Sequence, residues 1–172
     1  MKQNKEVWLR GEIIEGITPM LQPVAYALLQ AKEEINTLME HFPDELLWDT
    51  PAGCAAPAFH LLHIPGVLDR LMSYAENKAL TADQLDYLKQ ESQPRQLTTG
   101  AILENLNRQI TITLGRLKQF DPEALTERRW VGRAALPSTV GGLCTHAAEH
   151  TMRHVGQLLV TAKFLTSRKF PQ

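Results

Sequence analysis

Apolar side chains recur along this chain at the i, i+3, i+4 spacing of helices that bury one face. Val24, Ala27, Leu28, Ala31, Ile35, Leu38 and Met39 carry that rhythm through the first long segment. It opens at Thr18-Pro19 or Gln22-Pro23, where a polar residue stands before a proline suited to the first helical turn. A second segment runs from near Pro57 to about Glu76, with His60, Ile64, Val67, Leu68 and Leu71 on its apolar stripe and His63 at the stripe's edge. Pro65 lies inside it. A proline there removes the bond to the Leu61 carbonyl and predicts a kink just past His63. A third segment, about Thr98 to Gln119, turns Ile102, Leu106, Ile110, Thr113, Leu114 and Leu117 inward and stops at Asp121-Pro122. The last, about Thr139 to Phe164, aligns Leu143, Ala147, His150, His154, Leu158 and, just beyond its end, Leu165 in one stripe.

Between the second and third patterns the chain is polar, with a short helix over Thr81–Lys89 that Thr81 can cap. Residues 43–56 read as a loop, and residues 125–139 as a long loop or small hairpin. Residues 1–17 form an N-terminal tail or short turn, and residues 18–172 one domain. Four long helical patterns without an internal repeat predict an all-α fold, a four-helix bundle.

Composition changes this picture little. The chain has 172 residues, 44% of them hydrophobic and 22% charged, at a net charge of −1. That suits one globular domain and gives no basic footprint for nucleic acid or a membrane surface. No run approaches the roughly 20 apolar residues that span a bilayer, and the N-terminus lacks the apolar stretch of a signal sequence. Two cysteines, Cys54 and Cys144, make no disulfide framework. The expected setting is cytoplasmic, with a homodimer as the expected assembly.

Histidine is where the chemistry concentrates. Five of the six lie on two predicted helices: His60 and His63 on the second, His146, His150 and His154 on the last. Residues four apart are neighbours on one helix face, so His150 and His154 form a pair on a face that should be buried. Two adjacent buried imidazoles need partners, and a divalent metal is the most direct one. A third imidazole from the second helix would complete a three-histidine set with positions left open, as in catalytic rather than structural metal sites. The reacting group would be water or thiol on the metal. Helix geometry favours His60 for that third place over His63, and the two remain alternatives at this level. His146 and Gln157 stand at the shoulder of the stripe as pocket or outer-shell groups, and Arg70, one heptad past His63, could attract an anionic substrate. Glu149 projects away from the pair and is not expected to act as general base. The chain has no His-Glu-x-x-His, no Gly-x-Ser-x-Gly and no glycine-rich phosphate loop.

The stretch His146-Ala-Ala-Glu-His150-Thr-Met-Arg-His154-Val-Gly-Gln157 resembles the C-terminal motif of the DinB/YfiT-like superfamily. Phe59-His-Leu-Leu-His-Ile-Pro-Gly-Val-Leu-Asp-Arg-Leu-Met-Ser-Tyr-Ala-Glu76 is similar to its second-helix motif, and Val131–Thr139 to the segment before the last helix. The resemblance covers roughly Pro19 to Leu165. It implies a bundle holding a divalent metal on three histidines, and it resolves the alternative in favour of His63, with His150 and His154. The family includes transferases and isomerases that use low-molecular-weight thiols, and the expected function is thiol S-transfer or related hydrolysis on a small molecule, with such a thiol as partner. Zinc or nickel is the expected metal, with iron as a further candidate, and no organic cofactor is expected. The competing expectation is a metal-binding stress or sensor protein without turnover, or a dimerising structural bundle.

Overall fold

The computed structural model describes residues 5–169. The first four residues of the expected tail and the last three of the expected domain lie outside them. Four long helices, α1 (Gln22–Met39), α2 (Pro57–Ala75), α4 (Thr99–Leu117) and α5 (Val140–Lys169), build the molecule, with a short α3 (Ala82–Gln90) between α2 and α4. Each long helix packs on two others, α1 on α5 and α4, α2 on α5 and α4, which closes a four-helix bundle. An antiparallel hairpin, β1 (Arg128–Val131) with β2 (Leu136–Thr139), precedes α5, with Arg128 opposite Thr139 and Val131 opposite Leu136. The hairpin is one of the two forms the composition of residues 125–139 allowed.

The ends of the helices follow local chemistry. A 3-10 turn, Pro19–Leu21, leads into α1. Thr81 and Gln84 form a reciprocal capping box at α3. Thr98 accepts from Ala101 N at α4, and Thr139 Oγ1 accepts from Gly142 N at 3.0 Å to start α5. The last helix runs further than its apolar pattern, to Lys169. Residues 5–17 lie against α1: Val7 N donates to Gln30 Oε1 at 2.8 Å, and Gln22 Nε2 donates to Ile14 O and Ile17 O.

The core is drawn from all four long helices, with Leu28, Ile35, Met39, Leu61, Ile64, Leu68, Met72, Leu106, Ile110 and Leu158 fully enclosed. α2 continues through Pro65 as one helix. Pro65 is itself buried, and Tyr87 Oη donates to the adjacent Leu62 carbonyl at 3.0 Å. The buried face of α5 is centred away from the expected stripe. Cys144, Ala147, Thr151, Val155, Leu158 and Ala162 form its middle, so Cys144 belongs to the core. His150 and His154 sit at its edge, with His154 8% exposed and His150 half-buried. The sequence stripe gave weight to Leu143 and Leu165 and none to Thr151, whose hydroxyl donates to Ala147 O at 2.7 Å and so can be buried.

Candidate metal centre

The first half of α2 and the middle of α5 face one another, and this brings together one imidazole from α2 and two from α5. His63, His150 and His154 each present a ring nitrogen, and these atoms all lie within 4.8 Å of one another. His150 Nε2 is the common vertex, 3.0 Å from His63 Nε2 and 3.1 Å from His154 Nε2. At zinc–nitrogen bonds of 2.0–2.1 Å, the edge of a tetrahedron is about 3.3 Å. Both distances from His150 therefore lie a few tenths of an ångström inside the spacing such a centre uses.

The partners of the remaining ring nitrogens decide the tautomers. His63 Nδ1 faces Glu91 Oε2 at 2.7 Å. A carboxylate only accepts, so the proton is on Nδ1 and the Nε2 lone pair faces the cluster. His154 Nδ1 lies 2.8 Å from His60 Nδ1. With its proton there, His154 also turns a bare Nε2 inward, and His60 accepts. His60 then carries its own proton on Nε2. His150 Nδ1 is buried and has no partner. Lone pairs at this distance repel, and one proton on His150 Nε2 can bridge only one of its two neighbours. A divalent cation accepts from all three, so the donor set fits one.

Burial keeps His60, His150 and His154 neutral. Loss of solvation is the largest cause pushing His60 and His150 down to about 4 and His154 to about 3, and the crowding of imidazoles, His63 first among them, disfavours a proton on each further. The ordinary value in the unfolded chain is near 6.5. Folded-state values below it mean that the unfolded chain takes up protons first as the pH falls. The apo protein is expected to hold full stability above about pH 6.5 and to lose it progressively towards pH 4. Each ring contributes at most about 1.4 kcal/mol per pH unit. Urea midpoints with chelator present, compared at pH 7 and pH 5, check this; equal midpoints would remove the neutral buried rings from the account.

The other sequence candidates fall at different depths. His60 is buried against His154 and bonded to it, so it supports a ring of the cluster. His146 is about half exposed, its ring centroid 5.2 Å from that of His150 and its Nδ1 3.3 Å from Glu149 Oε2. Glu149 is exposed and paired with Arg153. Gln157 is exposed and borders an apolar cavity of about 580 Å³ with Cys54, His60, Met152 and Arg153. Arg70 is not free to attract an anion. It is 7% exposed and donates from Nη1 to Glu91 Oε1 at 2.5 Å. Glu91 itself, 2% exposed just after α3, was hidden in the polar connector. Its separation of 28 residues from His63 leaves no periodic trace. Phe59, stacked on His63 with centroids 5.1 Å apart, was also missed. Cys144, fully buried, has its thiol pushed up to about 12 by desolvation and cannot supply a thiolate near neutrality.

Fold and site together define a four-helix bundle with a group of three histidines, shared between its second and last long helices, that could hold a metal ion. The model of the DinB superfamily matches residues 27–158, and the chain belongs to that superfamily. No curated protein matches it.

Proposed function

We propose that the chain is a divalent-metal-dependent enzyme acting on a small molecule, a thiol S-transferase or a related hydrolase, with His63, His150 and His154 as ligands. The observation that carries this reading is the convergence of three imidazole nitrogens at the edge of the core, where His150 remains partly accessible. Zinc or nickel suits such ligands best, with iron as a third choice. A cation held there supplies Lewis acidity, lowering the pKa of a coordinating thiol or water to near neutrality. The chain's own contribution is to orient three rings, keep His150 and His154 unprotonated and wall the site with Phe59 and α5. The cavity beside His60, lined by Met152, Gln157 and Arg153, is large enough for the body of a small electrophile. A low-molecular-weight thiol is the proposed co-substrate. No helix of the described residues is long and apolar enough to cross a membrane, and the reading keeps the protein cytoplasmic.

A second reading, a metal-binding stress or sensor protein without turnover or a dimerising bundle, draws on two observations. Glu149 is engaged by Arg153 at the surface, which leaves α5 without a free carboxylate base. Ile13, Met20 and Val160 are 81%, 74% and 70% exposed, apolar surface that a homodimer could cover. Elemental analysis of freshly purified protein is expected to give about one divalent metal per chain. A panel of thiols and electrophiles, run with and without chelator, then separates the readings: chelator-sensitive turnover supports the enzyme, and unchanged background rates support binding alone.

A further inference from the structure

Helix α3 has no hydrophobic reason to sit where it does. None of its residues is buried, and its leucines, Leu85 and Leu88, are 44% and 43% exposed. Polar bonds hold it to α2: Tyr87 Oη to Leu62 O at 3.0 Å, and Gln84 Nε2 to Asp69 Oδ2 at 2.7 Å and Ser73 Oγ at 2.8 Å. What these bonds deliver is Glu91, one residue past the helix end. Its carboxylate is enclosed, one oxygen against His63 Nδ1 and the other against Arg70 Nη1.

Space for it exists because residue 66 is glycine. A Cβ there would stand 2.1 Å from Glu91 Oε1, 2.7 Å from Tyr87 Cε1 and 2.8 Å from Arg70 Nη1. A glycine inside a helix costs about 0.5–1 kcal/mol against alanine. Burying a carboxylate and a guanidinium costs several kcal/mol per ion, and their attraction often only offsets this. An apolar contact would dock α3 as well. The arrangement gains something else: a fixed acceptor behind one ring of the cluster.

We propose that Glu91 is the positioning residue of the metal centre. It accepts the Nδ1–H of His63, fixing the tautomer and the ring so that Nε2 faces the cluster, and it makes that ring the most electron-rich of the three. Arg70 holds the second carboxylate oxygen and fixes the carboxylate's own rotation. The centre is thus asymmetric. His63 leans on an anion, His154 on the neutral His60, and His150 on nothing. This rests on the metal reading given above.

The test is zinc affinity by competition with a chromophoric chelator, on the full chain, for wild type, Glu91→Gln and Tyr87→Phe. Glu91→Gln is expected to weaken zinc by about 10- to 100-fold, the usual effect of losing such an outer partner. Tyr87→Phe breaks a docking bond of α3 without touching His63 and is expected to leave affinity within about twofold. Wild-type affinity in Glu91→Gln overturns the proposal, and so does an equal loss in Tyr87→Phe, since Glu91 would then act only by docking α3. A wild type that binds no zinc removes the metal reading, and this proposal with it. Should Glu91→Gln fail to fold, nitrogen-15 spectra of the apo wild type decide: a proton on His63 Nδ1 supports the assignment, and one on Nε2 refutes it.

Discussion

Replacing His150 with alanine is expected to abolish stable metal binding while leaving the apo fold intact. His150 Nε2 is the atom that lies 3.0 and 3.1 Å from the other two, so its loss removes the vertex they share. Four-ligand zinc sites bind with about 10–16 kcal/mol, roughly 3 kcal/mol per ligand, so affinity should fall by about a hundredfold or more. The apo protein should hardly notice, because the ring removed carries a buried nitrogen with no partner. Such a group costs about 1–3 kcal/mol, and losing it offsets the small cavity left behind. His154→Ala should lose metal equally but behave differently without it. His60 Nδ1 would then be buried with nothing to accept from, at a cost of about 1–3 kcal/mol. Elemental analysis, helical circular dichroism and urea unfolding of both variants with chelator test the pair. Full metal occupancy in His150→Ala would refute the ligand assignment.

The contrast between the two histidines bears on how far the sequence could be read. Helix existence was legible because α1, α2, α4 and α5 carry long 3.6-residue periods. The i, i+4 spacing of His150 and His154 was legible because it is a property of one helix. The choice between His60 and His63 was not legible in the helical pattern, since it depends on how α2 is rotated about its axis against α5; only the family resemblance pointed to His63. His60 has the better apolar position, and the structure buries it accordingly, but as a partner to His154. His63, at the edge of the stripe, is the ring that reaches His150. A stripe marks what is buried, whereas the three-histidine cluster lies at the stripe's margin, where buried rings and solvent meet. Glu91 escaped notice for a different reason. Its contact with His63 crosses from α2 to the end of α3, and sequence carries no period for that. The clue available was Gly66, a mid-helix glycine one turn from a histidine, for which propensity alone has no explanation.

That glycine gives the largest stability effect expected here. In an isolated exposed helix Gly66→Ala would stabilise by about 0.5–1 kcal/mol. In this protein it should destabilise. The new methyl would meet Glu91 Oε1, Tyr87 Cε1 and Arg70 Nη1, all closer than a real Cβ tolerates. Each of these is the far end of a side chain and could move, but here they are bonded to one another and enclosed. Pushing Glu91 aside parts it from His63 and from Arg70, and breaking a buried ion pair costs about 3–5 kcal/mol. The net loss should be about 2–4 kcal/mol, with zinc affinity falling as well. Strain of this kind has a signature that simple overpacking lacks. Once Glu91→Ala has already been made, the nearest clash is gone and Arg70 is released, so adding Gly66→Ala should cost little, about what the helix-propensity gain offsets. The two substitutions should therefore be strongly less than additive in a double-mutant cycle read by urea unfolding. A Gly66→Ala protein as stable as wild type, or a full additive loss in the double variant, would mean that the glycine is not there to admit the carboxylate.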